Sequence, residues 1–181
     1  MKCIKKLVAL TLAAVLALAM LTACGGTPEE PLIQPDIEKG KEIAAALNEA
    51  RVAVGEKEVP FDEKYSIAVT KYANAYIDCK CAYRAYRQEP TAENEAAYEA
   101  AALKYRIAEA NPPRGCNGGL FGHIDVTSFE EAKANGRNFF TEWENNGKCG
   151  LLREKGDMCS VTVVTKEDLN IVVISIGFKV S

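Results

Sequence analysis

The stretch MCSVTVVTKEDLNIVVISIGFKV, Met158 to Val180, changes the rhythm of the chain. Cys159, Val161 and Val163 alternate with Ser160 and Thr162, the period of two that marks a β-strand. TKEDLN is a turn, and a second strand follows from Ile171 to Val180. Over IVVI, Ile171 to Ile174, that strand is apolar on both faces. A strand with no wettable face needs helices on either side of it and neighbours along both edges. The rest of the chain reads as helices, so the expected class is α+β, with three or four helices packed on a small, mostly antiparallel sheet.

The helices are read from their caps and spacing. Asp36 can cap a first helix in which Ile43, Leu47, Ala50 and Val54 recur at helical steps until Gly55. Asp62 starts a second, with Tyr65, Ala68, Val69, Tyr72, Tyr76, Cys79 and Tyr83 along one face. A tyrosine stripe can resemble a ligand box, but at this spacing it reads as core, with phenol oxygens reaching the rim. Pro90 and Thr91 break the pattern, and a third helix carries Tyr98, Ala101, Ala102, Tyr105 and Ala108. The two form an antiparallel hairpin whose Arg84, Arg87, Glu93 and Glu95 read as a solvated face. After the loop Asn111 to Gly122, a capping box at Ser128 to Glu131 opens a fourth helix, with Phe129, Ala132, Phe139, Phe140 and Trp143 on its buried side.

At the other end, Lys2, Lys5 and Lys6 precede an uncharged apolar run from Leu7 to Met20 and the small residues Thr22 and Ala23. This is the layout of an export signal. As a helix the run covers roughly 21 Å, short of the ~30 Å hydrocarbon slab, so removal is expected rather than a permanent span. Leu21, Thr22, Ala23 and Cys24 resemble the bacterial lipoprotein box, which implies cleavage after residue 23 and a diacylglycerol on the Cys24 sulfur. Gly25 to Pro35 is rich in Pro, Gly and Glu and reads as a tether over 24–35, leaving a domain at 36–181. The expected place is therefore the cell membrane, lipid-anchored and facing outside the cytoplasm.

Loss of Lys2, Lys5 and Lys6 moves the formal charge from −3 to −6, the wrong sign for a nucleic-acid binder. Five cysteines remain beyond the anchor: Cys79, Cys81, Cys116, Cys149 and Cys159. In an exported chain these are disulfide candidates, and an odd count leaves one thiol over. Cys79 and Cys81 diverge by ~200° on a helix and are poorly placed to pair with each other. Zinc is the alternative use, but the C-x-C spacing and a single histidine suit it poorly. No metal and no cofactor is expected.

Leu47 to Tyr76, LNEARVAVGEKEVPFDEKYSIAVTKYANAY, resembles the opening of the CAP (SCP, PR-1-like) domain: an asparagine-bearing helix, a short loop to an aromatic-Asp start, and an alanine-rich second helix. GHIDVTSFEEA, FFTEWENNGKCGLL and the closing strands are similar to that family's later segments. The resemblance implies an α-β-α sandwich in which the helical hairpin at 79–113 is an insert. It also implies a central cleft around His123, Trp143 and Cys149. The family's two histidines and two acidic residues are not matched, since His123 falls on the place of a glutamate and Cys149 near the place of a histidine. The fold carries over and the metal site does not.

These readings lead to an envelope lipoprotein acting as a non-catalytic binding module, with the membrane and an extracellular protein, glycan or lipid as partners. The alternative is a thiol-dependent enzyme or redox protein using Cys149 with His123. Against it stands a Cys149 to Cys159 disulfide, the commoner use of such thiols outside the cytoplasm.

Overall fold

Helix α1 (Ile37–Ala53) starts where Asp36 accepts a hydrogen bond from Lys39 N, and the chain leaves it through Gly55 at φ 83°. Asn48 on its flank exchanges two hydrogen bonds of 2.9 Å with the backbone of Val59, which brings the chain back to a second cap. Asp62 caps α2 (Glu63–Gln88), and Thr91 caps α3 (Ala92–Ala110). The computed structural model describes residues 31–112, 122–146 and 150–179. The described elements lie in one compact unit that begins at Leu32.

Three strands form the sheet: β1 (Gly122–Asp125), β2 (Met158–Lys166) and β3 (Leu169–Gly177). Their order is β1-β3-β2, both pairings are antiparallel, and β3 is central as its two apolar faces require. Register settles which side chains share a face. Cys159, Val161 and Val163 stand opposite Ile176, Ile174 and Val172, and this face packs on Ile43, Ala44, Leu47 and Ala50 of α1. The other face presents Val164, Val173 and Met158 to Tyr65, Val69, Tyr72, Ala73 and Ile77 of α2. The chain is α+β, with helices on both sides of a small antiparallel sheet.

Ser160 and Thr162 do not meet water, although their alternation with valines suggests a wet face. Both are wholly buried under α2, where Thr162 Oγ1 donates to Ser66 O at 2.8 Å and Ser66 Oγ accepts from Val161 N. The outer edge of β2 is also occupied. Asp62 N donates to Cys159 O, Cys159 N to Pro60 O, and Asp36 N to Val163 O. Among the described residues, each of these edge groups therefore has a partner.

Several sequence expectations need correction. The fourth helix is two helices, α4 (Val126–Ala134) and α5 (Phe139–Asn145). Asn135 and Gly136, the latter at φ 65°, turn the chain between them, and Asn138 caps the second. The first is capped by Asp125, through Thr127 N, rather than by a box at Ser128. Gly122 lies in a strand and not in a loop. The tether is shorter than 24–35, because Ile33 packs against the α2 core and exchanges hydrogen bonds with Asn74 at 2.8 and 3.0 Å. The helical hairpin is no separate insert beginning at residue 79, since its first arm is the unbroken helix from Glu63.

Arg51 closes the α1 side of the core. It is buried, and its guanidinium donates to the carbonyls of Lys57, Leu151 and Leu152 at 2.8–3.0 Å. Burial lowers its pKa, with Glu56 opposing the shift. Three carbonyl partners let a charge remain in the interior.

Candidate functional site

His123 occupies β1 opposite Val173, on the face that looks toward α2. Helix α2 brings Tyr72 and Tyr76 to it, one turn apart, and α3 adds Tyr105 because the hairpin is antiparallel. The pairing direction is plain from the rings: Tyr76 meets Tyr105 at 5.3 Å between centroids, while Tyr83 and Tyr86 meet Tyr98 at 5.3 and 6.1 Å. The imidazole stacks on Tyr76 at 4.1 Å with 21° between planes.

A chain of hydrogen bonds runs outward from the ring. Nε2 of His123 lies 3.0 Å from the Tyr72 hydroxyl, which lies 3.2 Å from the Tyr105 hydroxyl, which donates to Glu109 Oε1 at 3.2 Å. A carboxylate accepts only, so the direction of the whole chain follows. Tyr105 gives its hydrogen to Glu109, Tyr72 gives its own to Tyr105, and His123 Nε2–H donates to Tyr72. The imidazole is thereby held as the Nε2–H tautomer, with the lone pair on Nδ1. Among the described residues, no hydrogen bond to Nδ1 is formed.

Burial drives the electrostatics. It lowers the His123 pKa to about 4, helped by Lys80 and opposed by Glu109, so the ring is neutral over most of the pH range. Burial likewise raises Tyr72 and Tyr105, with the hydrogen bond to Tyr105 adding to the shift of Tyr72. None of these groups is poised to exchange a proton near neutral pH.

Beside His123 opens a groove of about 390 Å³. Its walls are Tyr76, Lys80, Tyr83 and Arg84 from α2, Asp125 at the end of β1, Thr127 in the first turn of α4, Asp168 at the β2–β3 turn and Asn170 at the start of β3. Arg84 is already engaged, by Glu167 at 2.6 Å and Asp168 at 2.5 Å. That contact holds the Asp168 carboxyl below the usual carboxylate range. Lys80 stands over the Tyr76 ring, 5.4 Å from its centroid, with no carboxylate partner among the described residues. Tyr83 is exposed. The groove therefore offers aromatic faces, the Lys80 ammonium, which has no carboxylate partner among the described residues, and a neutral nitrogen acceptor.

Of the residues expected to share a cleft, His123 and Trp143 lie on opposite faces of the sheet. Alternation along β1 points His123 toward α2, whereas Trp143 packs with Phe139 and Phe140 against the α1 side of the sheet. The sheet stands between them. Cys149, Cys116 and Cys24 lie outside the described residues.

Cys79, Cys81 and Cys159 are free thiols. The expected disulfide from Cys149 to Cys159 is thus absent: the Cys159 sulfur is buried in the α1 core, where it contacts Ser160 O at 3.7 Å. Burial pushes the Cys159 thiol up to about 12 and raises Cys79 and Cys81. A thiol so placed is not a thiolate at neutral pH. Among the described residues no group of three or more His, Cys, Asp and Glu is arranged to hold a metal ion, and no helix is long and apolar enough to cross a membrane.

Sequence reasoning found His123 because it is the only histidine, and Tyr76 and Tyr83 as members of a stripe. It missed Lys80, Asp168 and Asn170. Nothing in their local pattern brings a hairpin turn beside the middle of a helix; only the register of β3 under α2 does that. No family model, no curated protein and no solved structure matches the chain.

Proposed function

We propose that the chain is a non-catalytic binding module, carried outside the cytoplasm on a lipid at Cys24, whose fold is a CAP-like α-β-α sandwich. The support for the fold is the element order: an asparagine-bearing α1, a short loop to Phe61 and Asp62, α2, and a closing antiparallel hairpin. The observation that carries the binding reading is the groove beside His123. Its histidine is neutral and fixed by three hydrogen-bonded neighbours in series, an arrangement that favours accepting a hydrogen bond over moving a proton.

The ligand class that suits these walls is a glycan. Sugar rings lay their C–H faces on aromatic rings, here Tyr83 and Tyr76, while hydroxyls donate to a neutral acceptor such as His123 Nδ1 and accept from Lys80. The thiol-dependent alternative draws no support from the described thiols, all of which burial holds protonated.

Calorimetric titration with short neutral and amino-sugar oligosaccharides tests the reading. Binding is expected for the native chain, with a roughly five- to 150-fold loss in Tyr83→Ala and in Lys80→Ala, since stacking and one charged hydrogen bond are each worth about 1–3 kcal/mol. Both positions are exposed, so the fold tolerates the changes. Heats that are absent for every sugar, or equal in the variants, would remove the glycan reading.

A further inference from the structure

Helix α3 is apolar on two opposite faces. Tyr98, Ala101, Ala102, Tyr105 and Ala108 are half-buried and turn toward α2. On the far side Ala96, Ala100, Leu103, Ile107 and Ala110 recur at steps of four, three, four and three, and all are exposed. Leu103 is 58% and Ile107 55% exposed, and no residue of the helix is buried. That spacing is the seam of a two-helix coil, and a solvent-facing helix ordinarily places polar residues there.

The residues flanking the seam carry complementary charge. Glu99 and Arg106 lie on the same flank, both are exposed, and neither has an ion-pair partner among the described residues. The acidic residue belongs to the first half of the helix and the basic one to the second. Two such helices attract when they run in opposite directions.

We propose that α3 pairs antiparallel with α3 of a second copy of this chain. In the register that sets Ala100 against Leu103 of the partner subunit, Ala96 meets Ile107 of the partner subunit. Each large side chain then fills the space beside a small one, and the helix axes approach closely. The same register brings Glu99 beside Arg106 of the partner subunit, twice by symmetry. Parallel pairing would stack Leu103 on Leu103 of the partner subunit and leave gaps between the alanines. One helix pair is a small interface, so the dimer is a weak one, with a dissociation constant in the ~10–100 µM range.

Sedimentation equilibrium of the full-length chain in mild detergent measures this. A concentration-dependent dimer is expected, abolished by Leu103→Lys. Glu99→Arg or Arg106→Glu alone puts like charges together and raises the dissociation constant about tenfold. The double variant Glu99→Arg, Arg106→Glu restores native affinity, a rescue that parallel pairing or any other surface does not give. Circular dichroism checks that each variant remains folded. A chain that is monomeric across this range, a dimer that survives Leu103→Lys, or a double variant no tighter than the singles overturns the proposal.

Discussion

His123 shows how burial converts a titratable residue into a fixed one. Its ordinary pKa of 6.5 falls to about 4 in the folded chain, so between these values the unfolded chain binds a proton that the folded one refuses. The contribution of this imidazole to stability is therefore flat above pH 6.5 and declines as pH falls toward 4, by on the order of 3 kcal/mol. Urea denaturation of the native chain and of His123→Gln at pH 7 and pH 4.5 checks this. The native chain should lose much more stability than the variant over that interval. An equal loss in both would mean the imidazole is not shielded. The pairing of His123 with Tyr72 was not legible in the sequence, which shows only a tyrosine stripe at core spacing. A tyrosine 51 positions away becomes a partner solely because β1 takes its place beside β3, under α2.

At the scale of elements, close approach rather than pattern decides much of the packing. Gly40 lies in α1 where the helix rests on β2, and a Cβ there would stand 2.6 Å from Val161 O. The obstacle is strand backbone, which cannot swing aside. Gly40→Ala is thus expected to destabilise by about 1–3 kcal/mol despite the better helix propensity of alanine, read as a lower midpoint in urea. A midpoint unchanged or raised would mean that α1 can lift off the sheet at no cost. The caps at Asp36 and Asp62, the tyrosine hairpin and the central place of β3 were all readable, because each rests on a local signal or on one uninterrupted apolar run; Thr91 was readable as a break and not as the cap it forms. The break between α4 and α5 was not. Phe129, Ala132, Phe139, Phe140 and Trp143 keep an apolar tally across it, so the turn signal of Asn135 and Gly136 was outweighed by a pattern that two separate helices also satisfy. Strand β1, four residues long, is too short to display a period.

For the whole molecule, the sequence carries a claim about location that is chemical and direct. If Cys24 bears acyl chains, cells grown with a fatty-acid probe should label the native chain and not Cys24→Ala; label retained by the variant would remove the anchor from the reading. Two or more chains, at ~0.8 kcal/mol per buried methylene, hold a protein at a bilayer durably. Molecules held in that way share a thin layer and meet often, and crowding of this kind punishes any sheet with a bare flank. Here Pro60, Asp62 and Asp36 already occupy hydrogen-bonding groups along β2, and Ser66 caps another. A stray strand from an adjacent molecule finds few of the contacts that seed fibrils on that side, so dense packing at a surface need not end in cross-β aggregation.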